Sequence, residues 1–588
     1  MEITIKINGK EITADYGKTI LEIARENNIY IPTLCYHSDL TAHASCRLCL
    51  VSIKGINNPQ TACSTIAENG MEIETQNPEI EKLRKTNLEL LFAQHREECP
   101  DCVLQYNCQF LKLAKKIGAD IAKFSDRKKN FPIIEFGEAV VFDSSKCIDC
   151  RNCIEACQQQ AVGYLEIEKK NDFNQITPSD KKPCIYCGQC ITHCPVGAFE
   201  AKSEFEQIEE PLNNKNKILV FQFAPSIRSS IGEEFGMPDG AIVTEQLVGA
   251  IKQLGVDYVF DVSVGADFTT FEEAKEMVEK LAPLNATKRQ FAKDELFNGV
   301  KINKPSLLMS SCCPSWVRFI EKYYPEFIPN IATARPPHII LGGLIKTYWA
   351  NKENISPKKI FVVSVMPCVA KKYEITRKEM LFKYNGTSFA PVDYVLTTRE
   401  LAYLLKKRGI DLAKAKPQKA DSPFGEPSGG GVIYGASGGV MESAIRTASR
   451  ILNPSAGPST SSGRVDFPKV RGQERIKVSQ IEMNGKILNI AAVNGTGNAK
   501  IVLEQLKNNP DLYQCVEVMA CLGGCIGGGG QPLPQDKQIR QKRAQALYDI
   551  DEKKKVRTAF DNPDLQKIYK EFLKDEKIIK DICHTKYK

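Results

Sequence analysis

Long hydrophobic runs are missing from this chain. No apolar stretch approaches the roughly 18 residues that a membrane-spanning helix needs, so no such helix is expected. The first nine residues alternate polar and apolar like a strand and lack the apolar segment of a secretory leader, so a cytoplasmic location is expected. A strong charge of one sign is missing too. Lys and Arg number 79 against 71 Asp and Glu, a net +8 over 588 residues, which is too mild for a nucleic-acid-binding face. No GxGxxG leads into a helix and no P-loop lysine is present, so direct use of NAD(P)H by this chain alone is not expected. The glycine-rich stretch 429–439 reads instead as close backbone packing.

Cysteine is what the chain has, 22 of them. Disulfide scaffolds are small and secreted, so tight cysteine spacing in a long chain expected in a reducing compartment points to metal. The spacings favour iron–sulfur clusters over zinc. Cys35, Cys46, Cys49 and Cys63 form C-x10-C-x2-C-x13-C, four thiolates for a [2Fe–2S] cluster. Two further runs repeat one pattern. Cys147, Cys150, Cys153 and Cys157 are followed by Cys184, Cys187, Cys190, Cys194 and Pro195. In such runs the fourth cysteine ligates the other cluster. One [4Fe–4S] should therefore take Cys147, Cys150, Cys153 and Cys194, and the other Cys184, Cys187, Cys190 and Cys157. The first run has Gln158 where proline usually follows.

Residues 210–588 alternate strand-like and helix-like stretches, an α/β pattern with buried sheets. Strands are expected at Ile218–Phe223, 256–262, 306–309, 360–365 and 488–493, and a helix at 271–281. Stretches 283–304 and 453–467 read as insertions or exposed loops, and a Lys-rich helical tail, 564–588, as wrapping the outside. Three segments follow strand ends, where α/β folds place their sites. They carry Cys312 and Cys313, then Cys368, then Cys521 and Cys525. Cys313, Cys368, Cys521 and Cys525 suffice for one [4Fe–4S] cubane, with Cys521 and Cys525 sharing a face if helical. Adjacent side chains in an extended segment point to opposite faces, so Cys312 is left over, either as a buried structural thiol or as a proton carrier. Cys515 and Cys583 read as structural thiols.

The three segments are Ser310-Ser311-Cys312-Cys313-Pro314-Ser315-Trp316, Met366-Pro367-Cys368-Val369-Ala370-Lys371-Lys372-Tyr373-Glu374, and Glu517-Val518-Met519-Ala520-Cys521 through Cys525 to Gln531-Pro532. They resemble the three signatures of iron-only ([FeFe]) hydrogenases, and the accessory cysteines extend the resemblance over nearly the whole chain. It implies a multidomain α+β and α/β protein. A β-grasp [2Fe–2S] ferredoxin domain would span 1–78 and a helical [4Fe–4S] domain 79–126. A two-[4Fe–4S] ferredoxin domain would span 138–209 and a two-lobed α/β catalytic domain 210–588. Modules of this family and of complex I large subunits share the spacing His95-x3-Cys99-x2-Cys102-x5-Cys108, which makes His95 the fourth ligand with Cys99, Cys102 and Cys108. The cofactors implied are one [2Fe–2S], three accessory [4Fe–4S] and an H-cluster, whose cubane is bridged by Cys525 to a two-iron unit bearing CO, cyanide and an amine dithiolate.

The resemblance also implies roles. Lys371 would pair with a cyanide, Met366 and Met519 would pack against the two-iron unit, and Ala224, Pro225, Ser226 and Gln531 would help to bind it. Protons would run from Cys312 to Glu273, through a serine to Glu276, and on to an arginine. Here the serine position matches Ala332, with Thr333 beside it, the arginine matches Lys280, and a glutamine found near the cluster in relatives is His338. The implied reaction is the reversible interconversion of protons, electrons and H2. The implied partners are an external ferredoxin, for which the basic stretch 112–129 offers a docking face, and maturation enzymes. The proton/H2 couple at pH 7, at roughly −0.41 V, lies close to the about −0.4 V of plant-type clusters, so the wires would carry electrons either way. A low-turnover hydrogen sensor, a non-catalytic cluster-assembly protein and a complex I-type electron-transfer subunit are the rival readings. Retention of Cys312, Lys371 and the Gln531-Pro532 ending speaks against the assembly protein, the absence of a recognisable signalling domain against the sensor, and the three late motifs against the complex I subunit.

Overall fold

The computed structural model describes all residues except 96–98, 100–101, 129–130, 171–172, 215, 282–306, 385, 455–470 and 484–485. Stretch 283–304 and all but the first two residues of 453–467 thus lie outside the described residues.

The N-terminal unit is a five-stranded sheet in the order Lys10–Asp15, Glu2–Ile7, Glu72–Glu74, Leu50–Ile53, Gln60–Thr61. Its alternating isoleucines face the helix Ile20–Glu26, which Thr19 and Glu22 start with a reciprocal capping box. Helices Pro78–Phe92 and Gln109–Ile117 follow, and then a three-stranded sheet and a hairpin that carry the two repeated cysteine runs.

The remainder holds two four-stranded sheets. One orders Tyr258–Asp261, Ile218–Phe223, Ile360–Met366 and Tyr394–Thr397, all parallel. The other orders Leu308–Met309, Cys515–Met519, Lys486–Asn494 and Ile476–Met483, parallel but for the last hairpin. Their strands are nearly continuous apolar runs, as sheets covered on both faces require.

Three expectations need correction. The helix expected at 271–281 begins at Val262, directly after its strand. Its first turns are rich in polar residues, but Asp267, Thr269 and Thr270 find hydrogen-bond partners inside the protein and so bury without penalty. Cys521 and Cys525 are not on a helix. Gly523 and Gly524, at φ +77° and +92°, turn the chain sharply between them, and a 3-10 turn starts at Cys525. Finally, the tail does not wrap the outside. Helices Pro563–Glu571 and Glu576–Cys583 bury Leu565, Ile568, Tyr569, Ile582 and Cys583 in the main core, and His584 bridges back to Ala334.

Candidate active site

The site forms where both sheets end. Ala224–Pro225–Ser226 follow Phe223, Cys368 follows Met366 by two residues, Cys312 and Cys313 follow Met309, and Cys521 follows Met519 by two. Each segment leaves the carboxyl end of a parallel strand, so all four converge in the crevice between the sheets.

Cys313, Cys368, Cys521 and Cys525 come together there. Cys521 has Cys368, Cys313 and Cys525 among its neighbours, and Cys525 has Cys368 and Cys313. Burial, reinforced by Cys313, pushes the Cys368 thiol up to about 12. Four crowded thiols kept from ionising in a dry site are a donor set that fits an iron–sulfur cluster, because metal replaces the protons. The glycine-rich loop makes this approach possible. A Cβ on Gly524 would lie 2.6 Å from the Ser437 backbone nitrogen, and one on Gly529 would lie 2.8 Å from the Gly188 Cα of the ferredoxin-like part.

Cys312 neighbours Cys313 and Cys525 but turns to a different space. With Ala224, Pro225, Ser226, Met366, Lys371, Tyr434 and Cys525 it lines a cavity to which Cys313 does not contribute. Met519 shares a small apolar cluster with Cys312, Ala266 and Tyr434. Ser226 lines the same cavity, and its buried hydroxyl has no partner in the protein. An orphaned hydroxyl in a cavity calls for a polar guest. Lys371 is buried, donates to the Cys312 carbonyl at 3.1 Å and to Glu374 at 2.8 Å, and keeps one N–H to spare. Burial alone would lower its pKa, but Glu374 outweighs it and holds the ammonium charged. A spare cationic donor and an orphaned hydroxyl on one cavity suit an anionic, hydrogen-bond-accepting unit such as the two-iron half of an H-cluster. Gln531 does not line the cavity. Its side chain is consumed by Ser230, Thr398 and the Cys525 carbonyl, so it braces the loop that carries Cys525.

Beyond the cavity, Glu273 is buried, with one oxygen unpartnered and the other 3.3 Å from the Tyr434 hydroxyl. Burial and the nearby Glu276 push it up to about 8. Glu276 accepts from the Thr333 amide at 2.9 Å and its hydroxyl at 2.7 Å. Ala332 contributes no polar side chain. Lys280 donates to the Leu307 carbonyl at 3.0 Å, and His338 binds Glu374 at 2.6 Å. The sequence singles out neither Tyr434 nor Glu374 as a site residue. The first lies in a stretch that reads as packing, and the second ends a motif in which nothing assigns it a role. A lone tyrosine in a glycine-rich run was the signal available.

The accessory cysteines lie in groups near one another. Cys46 and Cys49 pair with Cys35 and Cys63 respectively. His95 is buried, and its Nδ1–H donates to the Lys146 carbonyl at 2.9 Å, a bond that fixes the tautomer with the proton off Nε2. Cys108 neighbours Cys102, and Cys99 joins that segment through the Cys102 amide. Cys194 lies near Cys147, Cys150 and Cys153, and Cys157 lies near Cys184, Cys187 and Cys190, with Cys153 and Cys190 also neighbours. Cys150 neighbours Cys46, and the Cys521 thiol lies 3.8 Å from the Cys187 carbonyl. Cys515 and Cys583 are buried away from all of these sets.

Comparison with known proteins agrees with this geometry. Residues 217–529 match the iron only hydrogenase large subunit, C-terminal domain, and 537–588 match the iron hydrogenase small subunit. The chain belongs to the iron-only hydrogenase family. Residues 1–78 match a 2Fe-2S iron-sulfur cluster binding domain and 146–198 a 4Fe-4S dicluster domain. Iron hydrogenase 1 of Clostridium pasteurianum is 36% identical over 100% of both chains. The NADP-reducing hydrogenase subunit HndD of Solidesulfovibrio fructosivorans is 35% identical over 97% of this chain and 96% of its own. The solved [FeFe]-hydrogenase HydA1 from Chlamydomonas reinhardtii matches with a TM-score of 0.53 and 33% identity, covering 65% of this chain and 98% of that one. The protein is thus an oxidoreductase acting on H2, with iron–sulfur and H-cluster cofactors. Among the described residues, no helix is long and apolar enough to cross a membrane.

Proposed function

We propose that this hydrogenase interconverts H2 with protons and electrons reversibly, in the cytoplasm, and exchanges its electrons with a ferredoxin. The observation that carries the reading is the meeting of four crowded thiols with a cavity lined by Cys312, Ser226 and Lys371. Cys313, Cys368, Cys521 and Cys525 would hold the cubane, and Cys525, which also lines the cavity, would be the ligand shared with the two-iron unit. When bound, the H-cluster supplies the redox and Lewis-acid chemistry of H2 cleavage. The protein supplies orientation, charge and a dry pocket. Met366 and Met519 pack the pocket, Lys371 holds an anionic edge of the unit, and Ser226 donates to it. Cys312 carries the proton to and from Glu273, which at about 8 can hold or release one near neutral pH. Glu276 takes the next position outward.

Cys35, Cys46, Cys49 and Cys63 would hold one [2Fe–2S], and His95, Cys99, Cys102 and Cys108 a [4Fe–4S]. Cys147, Cys150, Cys153 and Cys194 would hold a second [4Fe–4S] and Cys157, Cys184, Cys187 and Cys190 a third, and these groups would supply the redox chemistry of an electron path toward Cys521, whose thiol lies 3.8 Å from the Cys187 carbonyl. The Asn152 side chain, which donates to the Cys35 carbonyl at 2.9 Å and the His193 carbonyl at 3.2 Å, pins the first cluster loop to the relay. Whole-length similarity to an NADP-reducing hydrogenase subunit favours a second reading of the partner, a nucleotide-reducing subunit in place of ferredoxin.

The test is H2 evolution from reduced viologen by anaerobically purified, matured protein, followed by the same assay with reduced ferredoxin. Vigorous evolution with both supports the reading. An infrared-verified two-iron unit without turnover would move the protein to a sensor.

A further inference from the structure

The chain lacks the serine and the arginine of the family relay, yet Glu276 is not a dead end. The Thr333 hydroxyl donates to Glu276 Oε1 at 2.7 Å and lies 2.8 Å from Nδ1 of His584. His584 Nε2 lies 3.0 Å from Glu272 Oε2. With Thr333 donating to Glu276, Thr333 Oγ1 accepts from Nδ1–H, while the Glu272 carboxylate accepts from Nε2–H. Both ring nitrogens therefore carry protons, and the ring is an imidazolium. About a fifth of the His584 side chain (21%) is exposed, whereas Glu273 is buried.

We propose that protons enter and leave the buried relay through His584, which exchanges them with solvent on one side and with Glu276, through the Thr333 hydroxyl, on the other. The inference rests on the hydrogenase reading above. In the inward direction, the Nδ1–H bond breaks and a new O–H bond forms on Thr333 Oγ1. The former Thr333 hydroxyl proton moves to Glu276 Oε1. One proton is lost by the imidazolium and one is gained by the carboxylate, and no electrons move. The Thr333 hydroxyl then turns back toward Glu276, and a solvent hydronium or buffer acid returns a proton to Nδ1, while Nε2–H stays hydrogen-bonded to the Glu272 carboxylate. Outward transfer is the reverse.

The surroundings suit this role. Glu272 is a fixed anchor. Burial alone would raise its pKa, but Lys275, His584 and the Tyr569 hydroxyl hold it well below the usual range. Glu276 and Glu279 face His584 from the same helix, Lys275 opposes them, and Arg335 donates to the His584 carbonyl at 2.7 Å. Burial lowers the imidazole pKa, but Glu272 and Glu276 outweigh it and raise it above the usual value, toward working pH. Lys280 is a poorer terminus, because its ammonium is engaged by the Leu307 carbonyl at 3.0 Å.

The experiment compares matured wild type, His584→Ala, Thr333→Val and Lys280→Met. H2 evolution from reduced viologen is measured between about pH 6 and 9, with and without added imidazole. In parallel, the protonated Glu273 carboxyl, assigned by its loss in Glu273→Gln, is followed by infrared during transfer into D2O. The expected result is a roughly 10–100-fold fall for H584A, with recovery in imidazole, a similar fall for T333V without recovery, and slowed Glu273 exchange in both. Wild-type turnover and exchange in H584A and T333V, or a fall confined to K280M, would overturn the proposal. If wild type itself evolves no H2, the hydrogenase reading fails, and the carboxyl exchange still decides whether His584 is the door.

Discussion

Lys371 and Glu374 form an ion pair at 2.8 Å in which both side chains are almost wholly shielded from water, and Glu374 shares the same oxygen with neutral His338. The carboxylate fixes an ammonium that the cavity needs charged. Removing one partner of a buried pair leaves the other uncompensated, at a cost of about 3 kcal/mol or more. Glu374→Ala should lower stability by that amount in anaerobic thermal unfolding at neutral pH. The partners hold Glu374 below its ordinary pKa. Its contribution is therefore present above the unfolded carboxyl pKa and is lost as pH falls through the folded one. The gap between wild type and variant should narrow below about pH 4. A gap that stays constant into acid would show that the pair is not charged.

Glu273 has the opposite sign. Its folded pKa of about 8 lies above the unfolded value. Between roughly pH 4.3 and 8 the folded state binds the extra proton, so stability declines as pH rises through that window, by as much as about 4–5 kcal/mol. Glu273→Gln removes the titrating group. Its stability should be flatter than wild type from pH 5 to 8, and H2 turnover should drop by about two orders of magnitude or more. Calorimetry of the two proteins at several pH values checks the first, and the viologen assay checks the second.

Sequence and structure agree where the physics is local. Cysteine spacing marks the repeated runs 147–157 and 184–194, and largely apolar runs such as Ile218–Phe223 declare buried strands. Disagreement begins where partners lie far apart in the chain. The helix start at Val262 was hidden because Asp267 and Thr270 bury against Ser428 and Tyr434, more than 160 residues away. Cys521 and Cys525 satisfied a helical spacing, but two glycines in the left-handed region made a turn of it. The contact of His584 with Glu272 spans 312 residues, and nothing in a lysine-rich tail announces it.

His95 presents Nε2 because its Nδ1–H is held by the Lys146 carbonyl. Imidazole gives a cluster less negative charge than thiolate does, and so raises its potential. His95→Cys should lower the potential of one [4Fe–4S] by on the order of 100 mV and leave the others unmoved. Redox titration monitored by electron paramagnetic resonance separates the signals. If every cluster keeps its wild-type potential, His95 is not a ligand.

Ser226 offers the most direct view of what fills the cavity. Its hydroxyl is buried at 0% exposure without a protein partner, and an unsatisfied buried hydroxyl costs about 1–3 kcal/mol. A bound group that accepts its hydrogen bond would offset that cost. Before maturation, Ser226→Ala should therefore equal or exceed wild type in stability, because it deletes the orphan and little else. After maturation the order should reverse, since only the serine donates to the two-iron unit, and the infrared bands of the diatomic ligands should shift in the variant. Equal bands in the two matured proteins would mean that the hydroxyl points past the unit, and Lys371 would then be left as its chief polar anchor.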